Sequence, residues 1–140
     1  MKLLFTLLIS TFALIASAQD GGSWKVTYNN RTVLSATKED TTQNKIRIKR
    51  SGLKHKGYVV VNFTEGKKQT GWDRTITING DNDAQLISKD GHIFKIANSK
   101  LYSLTKGQHK LTVYTIATPS DPKMKALVRV RRVQLCSIQL

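Results

Sequence analysis

The residues best suited to chemistry are the cations between positions 45 and 56. This segment reads Lys-Ile-Arg-Ile-Lys-Arg-Ser-Gly-Leu-Lys-His-Lys. Successive side chains of a strand point to opposite faces, so its first half would place cations on one face and Ile46 and Ile48 on the other. A turn at Ser51-Gly52 would then return the chain toward that face. The candidate ligand-binding residues here are Lys45, Arg47, Lys49, Arg50, Lys54 and Lys56.

Two interpretations of this segment are open. A face of Lys and Arg can follow a row of phosphates or sulfates, and such binding weakens as salt rises because counterions are released. The same residues can instead protect an edge strand from pairing with other chains. The formal net charge of +14 also favours polyanionic partners, although charge by itself helps a protein stay in solution.

A second group of cations lies in the last fifteen residues. Valine and arginine alternate there first, and the apolar positions then shift by one residue at Val133 and again before Ile138. A period of two that slips by one residue is typical of a β-bulge. We therefore predict a long, bent closing strand over 126–140, basic on one face, which would extend the first basic face if both strands share a sheet. Its candidate binding residues are Arg129, Arg131 and Arg132.

Aromatic side chains could add a platform on which sugar rings stack. Trp72 lies between Thr70-Gly71 and Asp73-Arg74, a polar, turn-like setting, so we expect it to be exposed. Trp24 is expected in the core, because an aromatic ring buries much apolar area there. The other candidates for the platform are Tyr58, Tyr102 and Tyr114.

Catalytic and metal-binding patterns are weak. The three histidines, His55, His92 and His109, have no spacing typical of zinc, and there is no Gly-x-Ser-x-Gly elbow or glycine-rich phosphate loop. The only glutamates, Glu39 and Glu65, fall in polar, turn-like sequence. We therefore predict a protein that is not an enzyme and uses no cofactor or metal. Four residues with side-chain oxygens loosely copy the spacing of a calcium loop but fit a hairpin turn better, because Asn-Gly is a strong turn signal; they are Asn79, Asp81, Asp83 and Asp90.

Short apolar alternations separated by Gly, Asn, Asp and Lys clusters predict an all-β chain. Turn signals recur about every ten residues, which is typical of a single antiparallel β-sandwich of about seven to nine strands. The segment 58–63 is apolar on both faces in its first half, so we expect a central strand covered on both sides. Pro119 and Pro122 should lie in a loop outside the sheets. The other predicted strands are 24–28, 32–36, 45–49, 74–78, 84–88, 93–96 and 110–117.

The segment Leu104-Thr-Lys-Gly-Gln-His-Lys-Leu-Thr-Val-Tyr114 has the pattern Leu-x-x-Gly-x-His-x-Leu-x-Val. It resembles the stretch that leads into a late strand in small bacterial secreted modules of the immunoglobulin-like or jelly-roll type. The resemblance implies a turn at Gly107 and a strand whose Leu111 and Val113 face the core. For sugar-binding jelly rolls it also implies a ligand at the loops of one end or on a concave sheet face.

The N-terminal residues predict export. Lys2 precedes an apolar run over 3–15, and Ala16-Ser17-Ala18 offers small residues to a signal peptidase. We predict a signal peptide over 1–18, a β-sandwich domain over 19–140, no transmembrane segment in the mature chain, and a secreted or periplasmic location. Cys136 is the single cysteine, so it is expected to be a buried small apolar residue or, alternatively, to form an intermolecular disulfide.

These observations favour a binding protein. The main hypothesis is a secreted, non-catalytic module that binds polyanions, such as anionic polysaccharide, or glycans through its basic sheet face, with help from Trp72. The alternative is a structural or assembly subunit that docks on other proteins, such as one of the cell envelope, by strand addition at an open sheet edge.

Overall fold

The computed structural model describes residues 21–67 and 70–140, so the predicted signal peptide over 1–18 lies outside the described residues. The described chain is mainly β: about half of its residues lie in nine strands, and it also has two short α-helices and one 3-10 helix, Arg50–Lys54. The strands are β1 Ser23–Tyr28, β2 Arg31–Ala36, β3 Lys45–Arg47, β4 Tyr58–Thr64, β5 Trp72–Asn79, β6 Gln85–Asp90, β7 Ile93–Ala97, β8 Lys110–Pro119 and β9 Val133–Gln139. The helices are α1 Asn98–Leu104 and α2 Pro122–Lys125.

The strands form two sheets. One has four strands in the order β2-β1-β4-β7, and the other has five in the order β3-β9-β8-β5-β6. All pairs are antiparallel except β3 and β9, which run parallel. The prediction of an all-β chain is thus confirmed, and the prediction of antiparallel pairing holds for every strand pair except β3 and β9. Whether the connectivity is immunoglobulin-like or of jelly-roll type stays a prediction.

Alternating side chains from both sheets share one core. In β1, β4 and β5 the buried apolar residues are two apart, as in Trp24, Val61 and Ile76 with their neighbours on the same face, because one face of each strand turns inward. A hydrogen bond of 2.8 Å from the Trp24 indole Nε1 to the carbonyl oxygen of Leu135 ties the two sheets together. Trp24 is therefore a core residue, as predicted. Leu111 and Val113 of β8 are also fully buried, after a turn at Gly107 with φ of +74°.

The predicted closing strand over 126–140 is wrong in length. Only Val133–Gln139 is a strand, and 127–132 has no regular structure. Arg131 and Arg132 lie in that connection and pair with Glu39 and Asp83, which are outside the strands, so the valine–arginine alternation does not become a strand face. The predicted bulge is present: Val113 pairs with Cys136 and Tyr114 with Gln134, which leaves Leu135 as the extra residue.

The predicted covering of both faces at 58–63 is also wrong. The strand is central in its sheet, between β1 and β7. Its inward residues, such as Val59 and Val61, are buried, but Tyr58 is 49% exposed and Asn62 is exposed on the opposite face. An antiparallel sheet can leave one face in water, so apolar residues on that face did not require a cover.

Smaller differences concern the prolines and helices. Pro119 is the last residue of β8, where it pairs with Trp72, rather than part of a loop. A strand end tolerates a residue without an N–H. Pro122 lies outside the sheets as predicted and opens α2. Neither α-helix was predicted, because seven and four residues are too short to show a helical period. No helix in 21–67 or 70–140 is long and apolar enough to cross a membrane.

Candidate functional site

The cations of 45–56, from here on called the basic segment, are held on a fixed apolar base. Ile46, Ile48 and Leu53 are each at most 4% exposed and belong to the core. Because these three side chains pack in the core, they fix the positions of β3 and the 3-10 helix. The predicted alternation is confirmed, since the cations all face solvent; they are Lys45, Arg47, Lys49, Arg50, Lys54 and Lys56.

None of these cations is neutralised within the described residues. The ion pairs there involve Arg74, His92, His109, Arg131 and Arg132, and none involves the basic segment. The sequence has no Asp or Glu between Asp40 and Glu65. The basic segment therefore presents six positive charges without a carboxylate partner.

The nearest acidic residue in the chain, Asp40, is engaged elsewhere. Its carboxylate accepts hydrogen bonds from the backbone N–H groups of Thr42 and Gln43, each at 2.9 Å. The hydrogen bond from Gln43 and then that from Thr42 hold the pKa of Asp40 below its ordinary value. This carboxylate stabilises the turn before β3, so its hydrogen bonds are to backbone and not to the cations.

Strand register adds a seventh cation that sequence reasoning missed. Arg47 pairs with Gln139 of β9, and Gln139 pairs with Lys110 of β8, so the three residues form one row on the outer face of the sheet. With strands about 4.8 Å apart, the Cα atoms of Arg47 and Lys110 are separated by roughly 10 Å. Lys110 is exposed. No local signal reveals this neighbour, because it depends on the parallel pairing of β3 with β9.

The second predicted group of cations behaves differently. Arg131 pairs with Glu39, whose other carboxylate oxygen accepts a hydrogen bond of 2.8 Å from the Gln134 backbone N–H. The guanidinium of Arg132 makes two hydrogen bonds, of 3.0 and 2.8 Å, to the carboxylate of Asp83. Asp83 is also the first cause of the raised pKa of Arg132. Arg131 and Arg132 are thus ion-paired, and Arg129 is the one member of this group of three that forms no ion pair within 21–67 and 70–140.

The predicted binding residues do not all meet. Lys45 lies in a row with Ser137, Thr112 and Asn79, and Asn79 ends β5. Trp72 begins β5, seven residues away, which corresponds to roughly 23 Å along a strand. Trp72 is 37% exposed, as expected, but it shares a groove with Arg129 rather than a face with the basic segment.

A buried ion pair went unnoticed in the sequence. The Arg74 guanidinium binds both oxygens of Glu65, at 2.6 and 3.1 Å, donates to the Thr115 hydroxyl at 3.0 Å, and lies 4.1 Å above the centre of the Phe63 ring. Its side chain is only 9% exposed. The cluster closes one end of the space between the sheets, and its donors are occupied by protein partners.

Cys136 is fully buried, as predicted for a small apolar residue. Burial raises the pKa of its thiol to about 12. A thiol that is protonated and enclosed is a poor nucleophile, so the folded chain offers no route to the alternative intermolecular disulfide.

No protein-family model, curated protein or solved structure matches this chain significantly.

Proposed function

We propose that this protein is an exported, non-catalytic β-sandwich module that binds extended polyanions through the basic segment and Lys110. The observation that carries the proposal is the contrast in pairing: these cations have no carboxylate partner in the described chain, while Arg74, Arg131 and Arg132 each have one. A solvated cation keeps its attraction for a ligand, whereas a paired arginine must first lose its partner.

The spacing of the cations favours a polymer over a small anion. Lys45 and Arg47 are two residues apart on one strand face, roughly 7 Å, and the row through Gln139 reaches Lys110. The charges are spread over β3, the 3-10 helix and the start of β8. A chain with repeated sulfate or carboxylate groups can contact several of them at once, with gain from counterion release.

Acidic glycans fit this surface better than single-stranded nucleic acid. Nucleic acid is usually held by aromatic side chains that stack on bases beside the cations. In the described structure Tyr28 and Tyr102 border the basic segment: the Tyr28 hydroxyl lies beside Gly52, and the Tyr102 ring centre is 5.8 Å from the Lys54 Nζ. Both rings are partly buried and pack against the core, so neither presents a free face for stacking. The proposed ligand is therefore a sulfated or uronic-acid polysaccharide.

The experiment is binding of residues 19–140 to a fluorescent heparin fragment, followed by anisotropy at about 50 and about 150 mM salt. We expect affinity to fall steeply with salt, and the triple variant K45Q/R47Q/K49Q to bind more than about tenfold more weakly. The matched control K25Q/K95Q/K123Q removes the same net charge from other exposed positions. Equal loss in both variants, or affinity that is independent of salt, would contradict the proposal.

Strand addition is the second candidate, and β7 is the observation that favours it. Phe63 N–H donates to the carbonyl oxygen of His92, so by alternation the backbone groups of Ile93 and Lys95 point away from β4, toward the sheet edge. The Lys95 carbonyl oxygen there accepts a hydrogen bond of 2.9 Å from the Lys89 Nζ. Ile93 is 57% exposed beside that edge. Lys95→Pro removes an outward N–H without breaking the ladder to β4, so it should abolish any protein complex formed there without unfolding the domain. A complex that survives this substitution would rule out β7 as the docking edge.

A further inference from the structure

A groove of about 500 Å³ lies at one end of the space between the sheets. Its floor consists of Trp24, Phe63 and Arg74, which are mostly buried, and its rim includes Trp72, Lys38 and Arg129. Both sheets and the connection over 127–132 contribute to it. This volume falls in the range of small-molecule binding sites, which are usually few in a protein.

The groove carries an uncompensated positive charge. Two carboxylates line it, Glu65 and Glu39, and each is paired with an arginine, Arg74 and Arg131 respectively. Lys38 and Arg129 line the same groove and form no ion pair within the described residues. A ligand with one negative charge would therefore be attracted to the rim, and it would not have to displace an existing pair.

The carboxylates also limit what the body of the ligand can be. Burial raises the pKa of Glu39, but the hydrogen bond from the Gln134 N–H and the contact with Arg131 outweigh this effect and hold the pKa below its ordinary value. An ionised carboxylate facing a hydrocarbon loses hydration without compensation, so a fatty acid fits poorly. Hydroxyl groups can donate to such oxygens, which favours a hydroxylated ring.

The rim offers one flat surface for that ring. Trp72 is 37% exposed, and it also lines a second cavity, of about 560 Å³, together with Thr118 and Lys125. An exposed indole presents an apolar face to the C–H groups of a sugar. Together these observations favour a ligand that has a ring with hydroxyl groups, an apolar face and one acidic group.

We propose that this groove is a second ligand site, which binds a sugar ring bearing a carboxylate, that is, a uronic acid unit. The ring stacks on Trp72, its carboxylate pairs with Arg129, and its hydroxyl groups donate to the carboxylate oxygens that line the groove. The site lies at the opposite end of β5 from the row that contains Lys45, so it does not depend on the basic segment.

The test is an NMR titration of ¹⁵N-labelled residues 19–140 with glucuronate, and with glucose as the neutral probe, each up to about 10 mM, since a single sugar unit is expected to bind in the millimolar range. We expect glucuronate to shift the Trp72 indole N–H signal saturably and glucose to cause no saturable shift in that range. Arg129→Gln should weaken glucuronate binding more than about tenfold, the usual scale for losing a charge-assisted hydrogen bond. The amide spectrum of this variant reports whether it remains folded.

The variant K45Q/R47Q separates the two sites. If glucuronate binds it within about twofold of the unaltered chain, the groove is independent, as proposed. If the glucuronate response is lost in K45Q/R47Q but retained in Arg129→Gln, the ligand belongs to the basic segment and the groove proposal is overturned. The groove proposal is also overturned if glucuronate causes no saturable shift or if glucose causes an equal one. The heparin experiment tests the basic segment, and none of these outcomes changes its interpretation.

Discussion

Two groups of cations in this protein have the same chemistry and opposite surroundings. The basic segment exposes its lysines and arginines without carboxylate partners, although Ile46 and Ile48 beneath them are buried. Arg74, Arg131 and Arg132 instead bind Glu65, Glu39 and Asp83. The difference shows that arginine content does not identify a binding surface; the presence or absence of a partner decides whether the charge stabilises the fold or is available to a ligand.

For Arg74 the physical reason for pairing is desolvation, whereas Arg131 and Arg132 are exposed and pair with carboxylates that lie beside them. Arg74 is mostly buried, and a cation without a partner there would lose its hydration without compensation. The cations of the basic segment stay hydrated, so the fold requires no partner for them. Pairing every cation would require more acidic residues than the nine in this sequence, and all nine lie outside the stretch 41–64.

The largest effect is expected at the buried pair. Arg74→Gln leaves the Glu65 carboxylate, 19% exposed, without its bidentate partner. We expect a loss of about 3 kcal/mol in the free energy of unfolding, measured by urea denaturation. Lys49→Gln, an exposed and unpaired position, is the control and should change stability by less than about 0.5 kcal/mol. Similar stabilities for the two variants would remove the distinction between paired and unpaired cations.

Polyanion affinity should respond in the opposite sense. K45Q/R47Q/K49Q is expected to weaken heparin binding more than about tenfold, while R131Q/R132Q should change it less than about threefold, because those guanidiniums are already occupied. Anisotropy titrations at one fixed salt concentration make the comparison. If R131Q/R132Q lost as much affinity for heparin as K45Q/R47Q/K49Q, an ion pair within the protein would not predict whether a cation is available to bind the polyanion.

A smaller effect is expected at Arg132, which binds Asp83 and lies 3.9 Å above the Tyr114 ring centre. Because the pair is solvent-exposed, we expect Arg132→Gln to lower the free energy of unfolding by about 1 kcal/mol. A double-mutant cycle with Asp83→Asn isolates the ion pair and should give a small favourable coupling energy, because both side chains are exposed. A coupling of zero would mean that the ring contact alone holds this arginine.

The smallest effect concerns Asp81, in the turn between β5 and β6. Its pKa is lowered to about 2 by the side-chain hydrogen bond with His109, then by the backbone N–H groups of His109 and Lys110. A carboxyl group whose pKa is lowered in the folded state stabilises the fold at pH values above its ordinary pKa. That stabilisation is lost as the pH falls toward the folded-state pKa of about 2. The Tm difference between the unaltered chain and Asp81→Asn should therefore shrink between pH 4 and pH 2, as thermal melts would show.

The Asp81→Asn variant also tests the comparison between paired and unpaired cations. Its carboxylate is engaged by His109 and Lys110 backbone groups, so Asp81→Asn should leave heparin affinity within about twofold. Asp73→Asn serves as the matched control for the melts, since the Asp73 carboxylate accepts no hydrogen bond within 21–67 and 70–140. A Tm difference for Asp81→Asn that is constant with pH, or equal to that of Asp73→Asn, would contradict the assigned role.

Local periodicity predicted much of the fold. The strand at 58–64, the buried Ile46 and Ile48, the bulge near Leu135 and the turn at Gly107 were all visible in the sequence, because each depends on neighbours within a few residues. The alternation at 128–131 misled for the same reason. A pattern of four residues does not fix a strand, and here Arg131 pairs with Glu39 while Arg129 forms no ion pair within 21–67 and 70–140.

The sequence by itself determined that the chain is built of strands, that Cys136 has no partner within the chain for a disulfide, and that the cations of 45–56 are dense and alternate with apolar residues. Only the tertiary structure decided which cations are paired, because Arg131 and Glu39 are 92 residues apart and Arg132 and Asp83 are 49 apart. It also brought Glu39, Glu65, Trp72 and Arg129 to one groove and Lys110 beside Arg47. Periodicity orients a side chain relative to its own strand, whereas its partner depends on the order and register of strands that are distant in sequence.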